Sequence, residues 1–309
     1  MNHSLALMLG VVCAGIGGEL FVRGTVGLAR WGRVSAAIAG ATVAAFATSS
    51  PELSVAVNAA LAGAPAISLG DVLGSNVINV ALILGLVLLI GRMRSTRREI
   101  RRDFPTALLV PVVIGILSID GRLSRIDGII LLSMFLAWIF AVTLEVRKQR
   151  SAAGEVLGEQ RGWLAALLSA VGLGLLILAG RLIVHGGIGV GESLGLDAFI
   201  IGAVIVAIGT SVPELATAVI SKVRGHEEVG LGTIYGSNIF NGLLILGVVA
   251  VISPFTLLWR EVTPALLFGV VTVAITLPTR EGIIQRWRSI VLLGLYATYL
   301  VATLLHSPR

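Results

Sequence analysis

The sequence predicts an all-α membrane protein: ten transmembrane helices arranged as two inverted five-helix repeats, with the second and seventh helices broken. Three observations carry that expectation. The 309 residues are 56% hydrophobic and only 13% charged, with a mean hydropathy of +0.97, far outside the range of soluble domains. Apolar runs of the length needed to cross a bilayer core of about 30 Å recur along the whole chain. The chain also aligns with itself without a gap when residue 38 is laid on residue 200, the mark of an internal duplication.

The runs lie at 4–22, 36–61, 68–90, 104–119, 127–145, 162–185, 196–220, 229–252, 262–278 and 288–306. The first has no Lys or Arg before it and no convincing cleavage site at Gly17, Gly18 and Glu19, so it reads as a span rather than a signal peptide. The net charge of +6 and pI near 10.4 would suggest nucleic acid in a soluble protein; here the basic residues serve as topology signals. With the N-terminus outside, 18 of the 23 Lys and Arg fall in the inside connections, including the run RMRSTRREIRR at 92–102. That places both termini outside and suits a plasma (inner) membrane. Cys13, the only cysteine, excludes an intrachain disulfide and a thiolate metal cluster.

The duplication is dense. IAGATVAAFATSSPELSVAV (38–57) matches IIGAVIVAIGTSVPELATAV (200–219) at 11 of 20 positions, and GDVLGSNVINVALILG (70–85) matches GTIYGSNIFNGLLILG (232–247) at 9 of 16. Each half holds five spans, an odd number, so the second half must enter the membrane upside down relative to the first. The expected units are a first repeat at 1–146, an inside linker at 147–162 and a second repeat at 163–309. Inverted repeats are the usual construction of secondary transporters, with the site near the midplane where the repeats meet.

Both halves carry the same polar set: Thr48, Ser49, Pro51, Glu52, Ser75, Asn76 and Asn79; then Thr210, Ser211, Pro213, Glu214, Ser237, Asn238 and Asn241. A charged carboxylate deep in a span costs about 2.5–3.5 kcal/mol on insertion scales. No Lys or Arg lies between 36 and 90 or between 196 and 221 to offset it. Either both carboxyls are protonated or a cation enters from solution. Pro51 and Pro213 have no N–H to give the carbonyls of Ala47 and Gly209, and such breaks are tolerated in a membrane only where they line a cavity. The pattern T-S-x-P-E therefore gathers main-chain carbonyls, hydroxyls and a carboxylate, all hard oxygen donors. With neither Cys nor His among them, zinc, copper and iron are disfavoured, and Ca2+, which takes six to eight oxygens at about 2.3–2.6 Å, fits best. Ser75 and Asn79, like Ser237 and Asn241, share a helix face; Asn76 and Asn238 point elsewhere and read as interhelical glue. Two glutamates together carry a charge of about −2, which one Ca2+ or several Na+ would neutralise, so the two loads would exclude one another.

At these residues the sequence resembles the cation/Ca2+ exchanger superfamily, in its prokaryotic sodium/calcium exchanger branch. The signatures G-T-S-x-P-E and G-S-N-x-x-N both occur twice, the first copy with Ala47 where the second has Gly209. The resemblance implies that Glu52, Glu214 and the carbonyls of Thr48 and Thr210 form a Ca2+ site. It implies Na+ sites built from the Ala45 carbonyl, Ser49 and Ser75 in one half, and the Ala207 carbonyl, Ser211 and Ser237 in the other. Asn79 and Asn241 would line the centre. Some relatives have an aspartate where this chain has Asn241, so K+ dependence is not expected. The glycine-rich first and sixth spans would form a sliding gate.

Other polar residues weigh less. Asp71, whose repeat counterpart is Thr233, is expected to cap a helix at the outer edge together with Asp197, and Glu19 and Arg181 to snorkel near span ends. The sequence shows no nucleophile with a base, no phosphate loop and no nucleic-acid module, so neither an enzyme nor a cofactor is expected. The expected partners are the lipid bilayer and the transported Na+ and Ca2+, with no nucleic acid and no obligate protein. The residues alone leave open Na+-driven Ca2+ exchange, a proton-coupled exchanger of the same fold, and a passive cation channel.

Overall fold

The structure, a computed structural model, describes residues 3–61, 63, 65–97, 99–152, 162–193 and 207–306. Most of the linker at 147–162 and the capping role expected of Asp197 lie outside the described residues.

Helices dominate. Five among the described residues are long and apolar enough to cross a membrane: Met8–Trp31, Ser68–Ile90, Arg125–Arg147, Gly162–Leu182 and Glu227–Ile252. Shorter apolar helices cover Ala36–Thr48, Val262–Ile275 and Arg288–Thr303, and Phe104–Leu117 carries Pro111 inside it. Many large side chains that face away from the interior are apolar, among them Met8, Ile126, Leu136, Trp163 and Ile290, each 62 to 73% exposed. Such a surface would aggregate in water and is at home in hydrocarbon.

Local structure recurs at the spacing of the sequence alignment. The helix Ser50–Leu61 is followed by Pro65–Val77, and the helix Val212–Val223 by Glu227–Ile239. Each second helix then widens into a π-helical stretch, Ile78–Leu84 and Phe240–Ile245; π-bulges are common near functional sites. Four two-residue strands follow the same scheme. Strand β1 (Met93–Arg94) pairs antiparallel with β4 (Ile283–Ile284), and β2 (Arg122–Leu123) with β3 (Phe255–Thr256). The helix Phe104–Leu117, about 20 Å long at 1.5 Å per residue, separates β1 from β2, so one pair closes each end of the molecule. Connections assigned to one side of the membrane from their charge thus meet at one end, where Lys222 also reaches Glu227 at 2.6 Å and Arg102 reaches Glu145 at 2.5 Å.

Glycines set the helix separations that matter for the interior. Helix His3–Trp31 packs along Gly162–Ser193 with backbones nearly touching: a Cβ on Gly172 would collide with the Phe21 amide and lie 2.8 Å from the Gly17 carbonyl oxygen. Close packing through small residues is how membrane helices associate when no hydrophobic force separates them from lipid. Helix Glu227–Ile239, buried from Val229 onward, presses on 36–48 in the same way, since a Cβ on Gly236 would sit 2.7 Å from that of Ala45. Phe135, Trp138 and Phe240 close one side of this interior with ring centroids 5.0–6.0 Å apart.

Candidate ion-binding site

Two helix breaks build the site. Ser49 interrupts the second apolar segment between Ala45–Thr48 and Ser50–Leu61 with φ −85° and ψ 8°. Ser211 does the same between Ala207–Thr210 and Val212–Val223 with φ −86° and ψ 8°. A proline is accommodated in the first turn of a helix, where its missing N–H has no partner to serve. Pro51 and Pro213 both fall there, and the next residue of each is a glutamate in the first turn. The positive end of the helix dipole favours a carboxylate at that position.

Glu52 and Glu214 are each 1% exposed, and they lie close enough for their charges to interact. The halves are joined at this point: Ser49 Oγ of the first donates to Glu214 Oε1 of the second at 3.2 Å, and Ser237 Oγ donates to the same oxygen at 3.3 Å. Thr48 is fully buried, its hydroxyl donating to the Ala45 carbonyl at 3.3 Å, which also accepts the Ser49 amide at 2.9 Å. Thr210 ends the helix that Ala207 begins, in the matching position of the second half.

The remaining donors are left over. Glu52 Oε2, Glu214 Oε2, Ser75 Oγ, Ser211 Oγ, Asn79 Oδ1 and Asn241 Oδ1 are all buried without a hydrogen-bond partner. Native proteins satisfy nearly all such atoms, and each orphan costs about 1–3 kcal/mol. Six of them from the two matching motifs make a set of hard oxygens suited to an alkali or alkaline-earth cation. Among the described residues no cluster of three or more Asp, Glu, His or Cys occurs; the paired glutamates work with hydroxyl and amide oxygens instead.

Asn76 and Asn238 lock the halves together as expected of interhelical glue. Asn76 Nδ2 donates to the Asn238 carbonyl at 3.2 Å, and Asn238 Nδ2 returns the bond to the Asn76 carbonyl at 3.1 Å. Asn79 joins them, its Nδ2 donating to Asn238 Oδ1 at 3.1 Å.

Two expectations are corrected. Asp71 caps no helix: it lies inside Pro65–Val77, with Oδ2 buried and unpartnered and near enough to Glu52 for their charges to interact. Glu19 does not simply snorkel; it pairs with Arg23 and, at 2.7 Å, with Arg224 on another segment. Sequence reasoning also missed Thr217 and Ser221. Both are fully buried with unpartnered hydroxyls, three and seven residues beyond Glu214 and so on its helix face. The only signal was their spacing, which their apolar counterparts Val55 and Ala59 concealed.

The chain is similar to known proteins over nearly its whole length. The family described as "Sodium/calcium exchanger protein" matches residues 3–144 and again residues 164–305. A putative antiporter, CaxA, of Alkalimonas amylolytica is 32% identical over 259 residues, covering 81% of each chain. The sodium/calcium exchanger MaX1 of Methanosarcina acetivorans is 26% identical and covers 96% of this chain and 97% of its own. Among solved structures, the sodium-calcium exchanger NCX_Mj, soaked with Na+ and Sr2+, superposes with a TM-score of 0.81 at 26% identity over 99% of both chains.

Proposed function

The chain belongs to the sodium/calcium exchanger protein family, in the prokaryotic branch of the cation/Ca2+ exchanger superfamily, and from that premise we propose that it is a secondary active antiporter exchanging Na+ for Ca2+ by alternating access. Its relatives are transporters, and the chain is a multi-pass membrane protein. The observation that carries the reading is the pair of buried glutamates, one from each half, with Ser49 and Ser237 both donating to Glu214 and unpartnered oxygens of the two motifs beside them.

In this reading the spans form two inverted five-helix repeats, 1–146 and 163–309, joined by an inside linker at 147–162. Both termini face outside across the plasma membrane. Ca2+ is held by Glu52, Glu214 and the main-chain oxygens of Thr48 and Thr210. Na+ is held by Ser49 and Ser75 with the Ala45 carbonyl, and by Ser211 and Ser237 with the Ala207 carbonyl. Asn79 and Asn241 lie between the glutamates.

Coupling follows from charge. Two carboxylates held away from water strongly disfavour the empty, doubly negative state, so the site changes sides only when loaded. One Ca2+ or several Na+ supplies the compensating charge, but both loads together exceed it. The helices His3–Trp31 and Gly162–Ser193 form the moving element, and Gly180 lets the latter approach the Gly209 carbonyl, 2.7 Å from where a Cβ would stand. Vesicles containing the purified protein and loaded with Na+ take up 45Ca2+ when diluted into Na+-free medium. Uptake that follows a pH step and ignores the Na+ gradient overturns the reading in favour of proton coupling, and Ca2+ flux without any counter-gradient overturns it in favour of a channel.

A further inference from the structure

The paired motifs are nearly symmetric, and the strongest departure from symmetry is a carboxylate. Asp71 stands where the second half has Thr233. The Thr233 hydroxyl is satisfied within its own helix, donating to the Val229 carbonyl at 2.8 Å. Asp71 Oδ2 is buried as well but has no hydrogen-bond partner among the described residues, and its own stretch of chain, positions 36 to 90, holds no basic residue.

Asp71, Ser75 and Asn79 are four residues apart and form one stripe along the helix and its π-helical continuation. All three carry an oxygen that is buried and unpartnered. The stripe runs from the helix end near Pro65 and Gly63, beside the β2–β3 pair, down to the central site. Glu52, itself 1% exposed with Oε2 unpartnered, faces the charge of Asp71 from the neighbouring helix. A third acid held near an acid, with no counter-charge among the described residues, needs a proton or a cation just as the glutamate pair does, and a transported divalent cation supplies the charge for both. Asp71 does not merge into that pair, because the three acids form no single cluster.

We infer that Asp71 and the free oxygen of Glu52 form a relay site for the transported divalent cation on the Gly63 side of the membrane, one step before the central site. Among the described residues the matching place in the second half carries no acid: Thr233 stands there with its hydroxyl satisfied, and the unpartnered hydroxyls of Thr217 and Ser221 continue from Glu214. The inference rests on the exchange reading and adds a direction to it: the two faces of the protein take up Ca2+ with different affinities. The relay concentrates Ca2+ at the face that carries Asp71 and hands it to Glu52 by exchanging one carboxylate oxygen for another.

The test compares Asp71→Asn with the wild type in right-side-out and inside-out membrane vesicles, so that Ca2+ is presented to one face at a time against a Na+ gradient. The expected result is a rise of about tenfold in half-saturating Ca2+ at the Gly63 face, the size of effect one nearby opposite charge has on an ion equilibrium, with half-saturating Ca2+ at the other face changed by less than about twofold. Asp71→Glu restores most of the affinity. Asp71→Thr, which copies the second half, carries the test if the Asn variant does not fold. An unchanged Asp71→Asn, or an equal shift from both faces, overturns the relay while leaving exchange intact. A wild type with no Na+-dependent Ca2+ flux overturns the exchange reading and the relay with it.

Discussion

Replacing Gly172 by Ala tests whether the His3–Trp31 and Gly162–Ser193 helices must slide on bare backbone. An added Cβ would meet the Phe21 amide well inside van der Waals contact, with the Gly17 carbonyl oxygen and Phe21 Cα both at 2.8 Å, where ordinary contact begins at 3.4 Å. The neighbours are backbone atoms, so the helices must part by several tenths of an ångström or more. Overpacking of this kind costs about 1–3 kcal/mol, against about 1 kcal/mol gained from replacing glycine by alanine within a helix. Gly174 is the internal control: on the same helix, a Cβ there meets nothing within 4 Å, so Gly174→Ala collects the propensity gain alone. The two variants should therefore differ in stability by about 1–3 kcal/mol, read as a lower melting temperature for Gly172→Ala in detergent. In vesicles, Gly172→Ala should slow Na+-driven 45Ca2+ uptake while Gly174→Ala matches the wild type. Equal stability and equal transport in the two variants would refute the close-packed interface.

Three further outcomes follow from the geometry. Ser49→Ala and Ser237→Ala each remove a hydrogen bond to the Glu214 carboxylate, worth about 1.5–3 kcal/mol for a charged partner, and should shift the Na+ dependence of uptake at least several-fold; an unchanged Na+ titration would contradict the assignment of both hydroxyls. Arg224→Gln should change stability by no more than about 1 kcal/mol, because the Arg224 side chain is 51% exposed in its pair with Glu19, and thermal melts would show it. Glu99, just before the span at 104–119, is fully buried, and that burial pushes its carboxyl up to about 8 from 4.5 despite hydrogen bonds from Thr96 and Ser95. The folded state then binds more protons than the unfolded one between those values, so stability falls as pH rises from about 4.5 to about 8 and levels off above. Glu99→Gln should flatten that slope in melts recorded across the window; a slope that persists assigns the effect to another group.

Much of this was legible because the duplication writes the site twice. A glutamate after a proline in an apolar run is ambiguous once, whereas its recurrence at 214 with the same serines singles out the residues, and the break at Ser49 and Ser211 follows directly from Pro51 and Pro213. Asn76 and Asn238 were readable as glue because they sit off the serine face, and their reciprocal bonds at 3.2 and 3.1 Å bear this out. What stayed hidden depends on partners far along the chain or on departures from symmetry. Arg224 lies 205 residues from Glu19, beyond any local pattern. Asp71 reads from sequence as a boundary residue because its counterpart is Thr233; only the packing of Pro65–Val77 against Ser50–Leu61 brings the two acids near each other. The π-helical stretches and the two-residue strand pairs leave no composition signal of their own, because they arise where one half meets the other.

Equilibrium Ca2+ binding to the purified protein, measured calorimetrically with and without Na+, addresses the shared-carboxylate site most directly. The account predicts Ca2+ binding that Na+ displaces competitively, and that is lost in Glu52→Gln and in Glu214→Gln although both variants remain folded. Ca2+ binding indifferent to Na+, or retained when either glutamate is neutralised, would contradict it.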